Sequence, residues 1–103
     1  MSESLLLTGE KVEVLTASGP SADTTVGTGA AANVDLTISL GKVKKILDHL
    51  AVTQISGLPD GVVLAGYSFP SETTLRLRLF NPTSGDITVT AGSVSAEVLA
   101  KAL

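Results

Sequence analysis

"TTLRLRLFNPTSGDITVTAG", residues 73–92, decides how this chain is read. Leu75, Leu77 and Leu79 alternate strictly with Arg76 and Arg78. In an extended strand successive side chains point to opposite faces, so the leucines share one face and the arginines the other. A helix would scatter the same residues around its circumference. Asn81, Pro82, Gly85 and Asp86 then supply turn chemistry, and Pro82 can donate no ladder hydrogen bond. Beyond the turn, Ile87 and Val89 alternate with Thr88 and Thr90. The spacing predicts a β-hairpin with a loop of about six residues, one face buried and the other wet.

The same period extends to both sides. Val94, Ala96, Val98 and Ala100 alternate with Ser95, Glu97, Leu99 and Lys101 as a strand would, while Val98, Leu99 and Ala102 also fit helical spacing. Residues 96–103 therefore stay open between strand and helix, with the strand favoured. Upstream, "DLTISL" (35–40) alternates cleanly. Residues 42–50 are ambiguous, because Val43, Ile46, Leu47 and Leu50 form a helical stripe. As a strand they would put Asp48 on the face of Ile46, Leu50 and Val52, which is tolerable only near a sheet edge. The β-rich "LAVTQI" (50–55) and the turn "SGLPDG" (56–61) favour the strand. "KVEVLT" (11–16) and "VVLAGYSF" (62–69) read as further strands. The stretch 17–33, "ASGPSADTTVGTGAAAN", has little to bury and is expected to be a long Gly/Ala/Thr-rich loop with one short strand at "TTV". Residues 1–10 stay open between an arm and a first core strand.

These elements predict an all-β protein, a single domain over 1–103. The expected fold is a small β-sandwich, jelly-roll or immunoglobulin-like, of about seven antiparallel strands with a flexible N-terminal region. A chain of 103 residues suffices for one core and not for two. That core must be built from Val, Leu, Ile and Ala, since the chain has one Tyr, two Phe and no Trp.

Composition narrows the function classes. A formal charge of −3 argues against nucleic-acid binding, which needs surplus Lys and Arg to displace phosphate counterions. With no cysteine, disulfides and thiolate metal sites are excluded. Glu3 stands where a signal peptide carries Lys or Arg, and no stretch approaches the roughly 20 apolar residues of a membrane span. Synthesis in a cytoplasm with no membrane partner is the expectation.

Candidate chemistry is sparse. "GTGAAA" (27–32) matches the loose glycine pattern of dinucleotide sites, but that pattern works only between a strand and a helix, and here "NVDLTISL" follows as a strand. His49, the lone histidine, lies beside Asp48, yet neighbours on a strand face opposite ways and would not converge on one metal without a bulge. No metal or other cofactor is expected. "GYSFP" around Ser68 lacks the second glycine of a nucleophile elbow, and no catalytic residues are assigned. Lys42, Lys44 and Lys45, with Arg76 and Arg78, either join as a basic docking patch or simply keep exposed strands soluble. Leu5, Leu6 and Leu7 read either as a first core strand or as an arm that packs on a neighbouring subunit; they cannot all face one core from one strand, so at least one must meet something else. They are the candidate subunit or lattice interface.

From Leu58 onward, Leu58, Pro59 and Gly61, then Thr74 to Phe80, then Asn81, Pro82 and Thr83 follow an "LP-x-G" turn, an alternating strand and an "N-x-T" turn. In this order the chain resembles small β-sandwich structural proteins of tailed bacteriophages and related viruses. The resemblance covers less than half of the chain and carries no catalytic residues. It implies a non-enzymatic virion component: a capsid decoration or cement protein, or a tail-associated piece. Its implied partners are copies of itself, as a homo-oligomer of which a trimer is one form, and other virion proteins such as a major capsid protein. A carbohydrate- or ligand-binding adhesion module is the alternative, with Tyr67 and Phe69 as the ring-bearing pair on one strand face.

Overall fold

The strands follow the aliphatic alternation. In a computed structural model, which describes residues 9–103, β1 spans Lys11–Gly19, β2 Thr24–Val26, β3 Ala31–Ile38 and β4 Ile46–Ser56. Then come β5 Val63–Ser71, β6 Thr74–Phe80, β7 Ile87–Val89 and β8 Val94–Ala102. There is no helix among the described residues, so 96–102 is a strand, and of 42–50 only residues 42–45 form a turn while 46–50 begin β4, the strand that the sequence favours. The protein is an all-β sandwich.

Six strands form an antiparallel sheet in the order β4-β8-β1-β3-β6-β5, and β2 and β7 form a separate two-stranded ribbon. The large sheet is nearly two sheets. β1 and β3 pair only at Ala17↔Ile38 and Ser18↔Thr37, whereas β1–β8 and β3–β6 pair along most of their lengths. The halves β4-β8-β1 and β3-β6-β5 therefore fold over one core from a short shared seam. That core takes Leu15 and Ala17 from β1, Val34, Leu36 and Ile38 from β3, the three β6 leucines, and Val94 to Ala102 at alternate positions of β8. Val26 and Val89 of the ribbon are fully buried in the same cluster. Alternation thus sorted the faces correctly, Ile87 and Val89 inward and Thr88 and Thr90 outward.

It did not identify the partners. The predicted hairpin of residues 75–90 does not form, because β6 pairs with β3 and β5 while β7 leaves for the ribbon and pairs with β2. At the crossover from β6 to β7 sits Asn81, which has no exposed surface. Its Nδ2 donates to the carbonyls of Val26 (2.9 Å) and Gly85 (2.8 Å), and its Oδ1 accepts from the Thr83 amide (2.9 Å) and hydroxyl (2.6 Å). Its backbone bonds Ala30 and Gly29 as well. Every polar atom of the side chain is satisfied, so the residue can sit in the core and tie the crossover to the β2–β3 turn.

The expected loop over 17–33 is also corrected: Ala17–Gly19 end β1 and Ala31–Asn33 begin β3, while the short strand at "TTV" is present as β2. The small residues there reflect close approach rather than looseness. A Cβ on Gly19 would lie 2.6 Å from the Asp35 carbonyl oxygen, so only glycine lets β1 come this near β3.

β4 departs from period two altogether. Its register against β8 slips by one residue at Leu47, at Leu50 and at Thr53, three successive bulges. Ile46, His49, Val52 and Ile55 consequently pair with the inward positions Ala102, Ala100, Val98 and Ala96. Asp48 pairs with outward Lys101, so it does not share a face with Ile46 and Val52. Inward residues at every third position explain why this stretch resembles a helix in sequence. β4 lies at a sheet edge, where bulges are accommodated.

After β4 the chain turns at Gly57, whose φ is +85° and whose missing Cβ would collide with the Ser93 carbonyl. Gly57→Ala is expected to destabilise by about 2 kcal/mol or more, from the left-handed backbone and the collision together. Gly92, also at positive φ but with open space around it, should cost about 1 kcal/mol on the same change. Urea unfolding of the two variants checks the difference.

Candidate functional site

The outer faces of the two halves differ in chemistry. On β3-β6-β5 the register sets Asn33, Arg78 and Gly66 in one row and Asp35, Arg76 and Ser68 in the next. Arg76 grips Asp35 with two parallel bonds, Nε to Oδ1 at 2.8 Å and Nη2 to Oδ2 at 3.0 Å. That hydrogen-bonded guanidinium lowers the Asp35 carboxyl below the usual range, and the carboxylate in turn raises Arg76. Stability from the pair is therefore present above the ordinary carboxylate pKa and is lost as pH falls through the lowered one. Both groups face water, so the effect is small. Arg78 donates to Asn33 Oδ1 at 3.2 Å and forms no ion pair among the described residues. Asn33, Arg76 and Arg78, with Gly66, Tyr67 and Ser68 of β5, line an open, shallow depression of about 390 Å³.

On β4-β8-β1 the register sets Asp48, Lys101 and Val12 in one outward row, Ala51, Leu99 and Val14 in the next, then Gln54, Glu97 and Thr16, then Ser56, Ser95 and Ser18. The middle of this face is aliphatic and wet: Val14 is 56% exposed and Val12 49%, with Leu50 (45%) and Leu47 (40%) on the adjoining bulges. The polar rows hold a smaller groove of about 140 Å³ between Thr16, Gln54, Ser56, Ser95 and Glu97. Sequence pattern hid this face, because Val12 and Val14 look like core residues until β8 supplies their register. The signal was the run "VEVL" (12–15), too apolar for a strand with one wet face.

The residues singled out from sequence are dispersed. His49 points into the open side of the sandwich, stacked on Phe69 with ring centroids 4.1 Å apart, and its Nε2 lies 2.8 Å from the Glu72 carbonyl. The outermost strands β4 and β5 are joined there, and Tyr67 meets Phe69 edge-on at 6.0 Å. Tyr67 and Phe69 do share a face, as their spacing implied. Asp48 points away from His49, and among the described residues no three carboxylate or imidazole groups converge as a metal site. "GTGAAA" is the turn from β2 into β3, strand to strand. Ser68 lies on the outer face in the row of Arg76. Lys42, Lys44 and Lys45 precede β4, whose half of the sandwich is not that of Arg76 and Arg78, so the two basic clusters do not merge on one sheet face. Leu5, Leu6 and Leu7 lie outside the described residues. No helix among the described residues is long and apolar enough to cross a membrane.

Compared with protein families, with characterised proteins and with solved structures, the chain has no significant match in any of the three.

Proposed function

We propose that the protein is a non-enzymatic structural component of a virion, a capsid decoration or cement protein or a tail-associated piece, that self-associates as a homo-oligomer. The observation that carries this reading is the exposed aliphatic centre on the β4-β8-β1 face, since contiguous exposed apolar surface on a soluble protein marks an interaction site. The turn-and-strand resemblance from Leu58 to Thr83 supplies the virion setting. A rigid sandwich whose one imidazole is engaged in a ring stack and a backbone contact suits a brick more than a catalyst. Leu5, Leu6 and Leu7 are the proposed contact with the lattice, with a major capsid protein as the partner.

The test is co-purification. Particles banded on a density gradient from producing cells should carry the protein in a fixed ratio to the major capsid protein, and a chain lacking residues 1–8 should be lost from them. Particles free of the full chain would overturn the reading.

The depression on the β3-β6-β5 outer face favours a second reading, a carbohydrate-binding module, because amide, hydroxyl and guanidinium groups line it together with Tyr67 of the edge strand. A glycan array supports it only if a hit is weakened by Tyr67→Ala; an array with no hit disposes of it.

A further inference from the structure

Building on the self-association in that reading, we propose that the β4-β8-β1 outer face binds the same face of a second copy of this chain. The two-fold axis lies across the strands, along the Ala51–Leu99–Val14 row. Such an isologous contact requires a patch complementary to itself. Leu99 and Val14 meet their own counterparts at the axis, which buries the exposed aliphatic centre against an identical one.

The charges choose the axis. Lys101 and Glu97 both point outward from β8, two residues to either side of Leu99, so each stands roughly 7 Å from it. A two-fold along the strand would put Lys101 on Lys101 and Glu97 on Glu97. A two-fold across the strands reverses one copy end for end, so that Lys101 of each copy meets Glu97 of the other. Neither side chain has an ion-pair partner among the described residues, where the pairs are Lys11–Glu13 and Arg76–Asp35. The same reversal sets Asp48 against Gln54 and Val12 against Thr16, leaving no like charges opposed on these rows. Face-to-face sheets pack about 10 Å apart with strand directions within about 30°, a gap that aliphatic residues fill and that Lys and Glu side chains span at the rim. A second copy is therefore a better occupant than an unrelated chain, which would have to reproduce both the apolar row and the opposed charges.

Sedimentation of the full chain over a wide concentration range tests this directly. The unmodified protein should be a dimer. Glu97→Lys places two lysine pairs across the contact and should weaken it by about tenfold or more. The double change Glu97→Lys with Lys101→Glu should restore it to within about threefold, because the swap recreates both pairs. Val14→Asp should leave a monomer with an unchanged far-ultraviolet spectrum. A monomer or a trimer from the unmodified chain, or a folded double variant no tighter than Glu97→Lys alone, would overturn the interface. A monomer that still bands with particles would leave the virion reading standing and remove only this contact. A dimer absent from particles would do the reverse.

Discussion

Asn81→Asp will destabilise the protein by about 3–5 kcal/mol at neutral pH, the range for an uncompensated charge in a core. Nδ2 of Asn81 now donates to two carbonyls, Val26 and Gly85. A carboxylate oxygen in its place removes both bonds and sets negative charge against two acceptors in a site without exposed surface. Burial and the two carbonyls raise the folded-state pKa of the new carboxyl, so the variant approaches the parent below the unfolded carboxylate pKa and loses stability as pH rises through the raised one. Denaturant unfolding from acid to neutral pH checks both the size and the slope. An Asp variant as stable as the parent at neutral pH would mean that Asn81 does not hold the crossover.

Leu77→Ala should cost about 3–4 kcal/mol, as expected for a buried leucine truncated where its surroundings cannot collapse. Leu77 is fully buried at the middle of β6, flanked in register by Val34 of β3 and Tyr67 of β5, so strands on both sides hold the backbone in place. Leu77→Met should cost under about 1.5 kcal/mol, because the volume is kept. Thermal and urea unfolding separate the two, and equal losses would show that shape rather than lost volume governs the site.

The faces of the sandwich were legible in the sequence because period two is a local property of the backbone. β3, β6, β7 and β8 all obey it, and their buried residues are the ones the alternation selects. Pairing was not legible, since Leu79 and Ile87 face one core from two sheets just as they would from one hairpin. Asn81 looked like a turn former, and only the carbonyls of Val26, 55 positions away in sequence, and Gly85 reveal it as a buried tie. The chain from Ala17 to Asn33 looked loose because small residues suit both a loop and a tight approach, and the Asp35 carbonyl beside Gly19 decides for the latter. Of the candidate site, Tyr67 beside Phe69 was anticipated, while the Val12–Val14 face needed β8 as a ruler.

The three slips along β4 reach beyond the folding of one molecule. From Ile46 to Gln54 the strand spends nine residues where β8, from Ala102 to Glu97, spends six. A backbone so contracted presents its free amides and carbonyls at spacings that no straight incoming strand can match, and two irregularities, one of them spanning Pro70, spoil the opposite border. Cross-β stacking through either of these two borders lacks a straight template, although the chain is rich in valine and leucine.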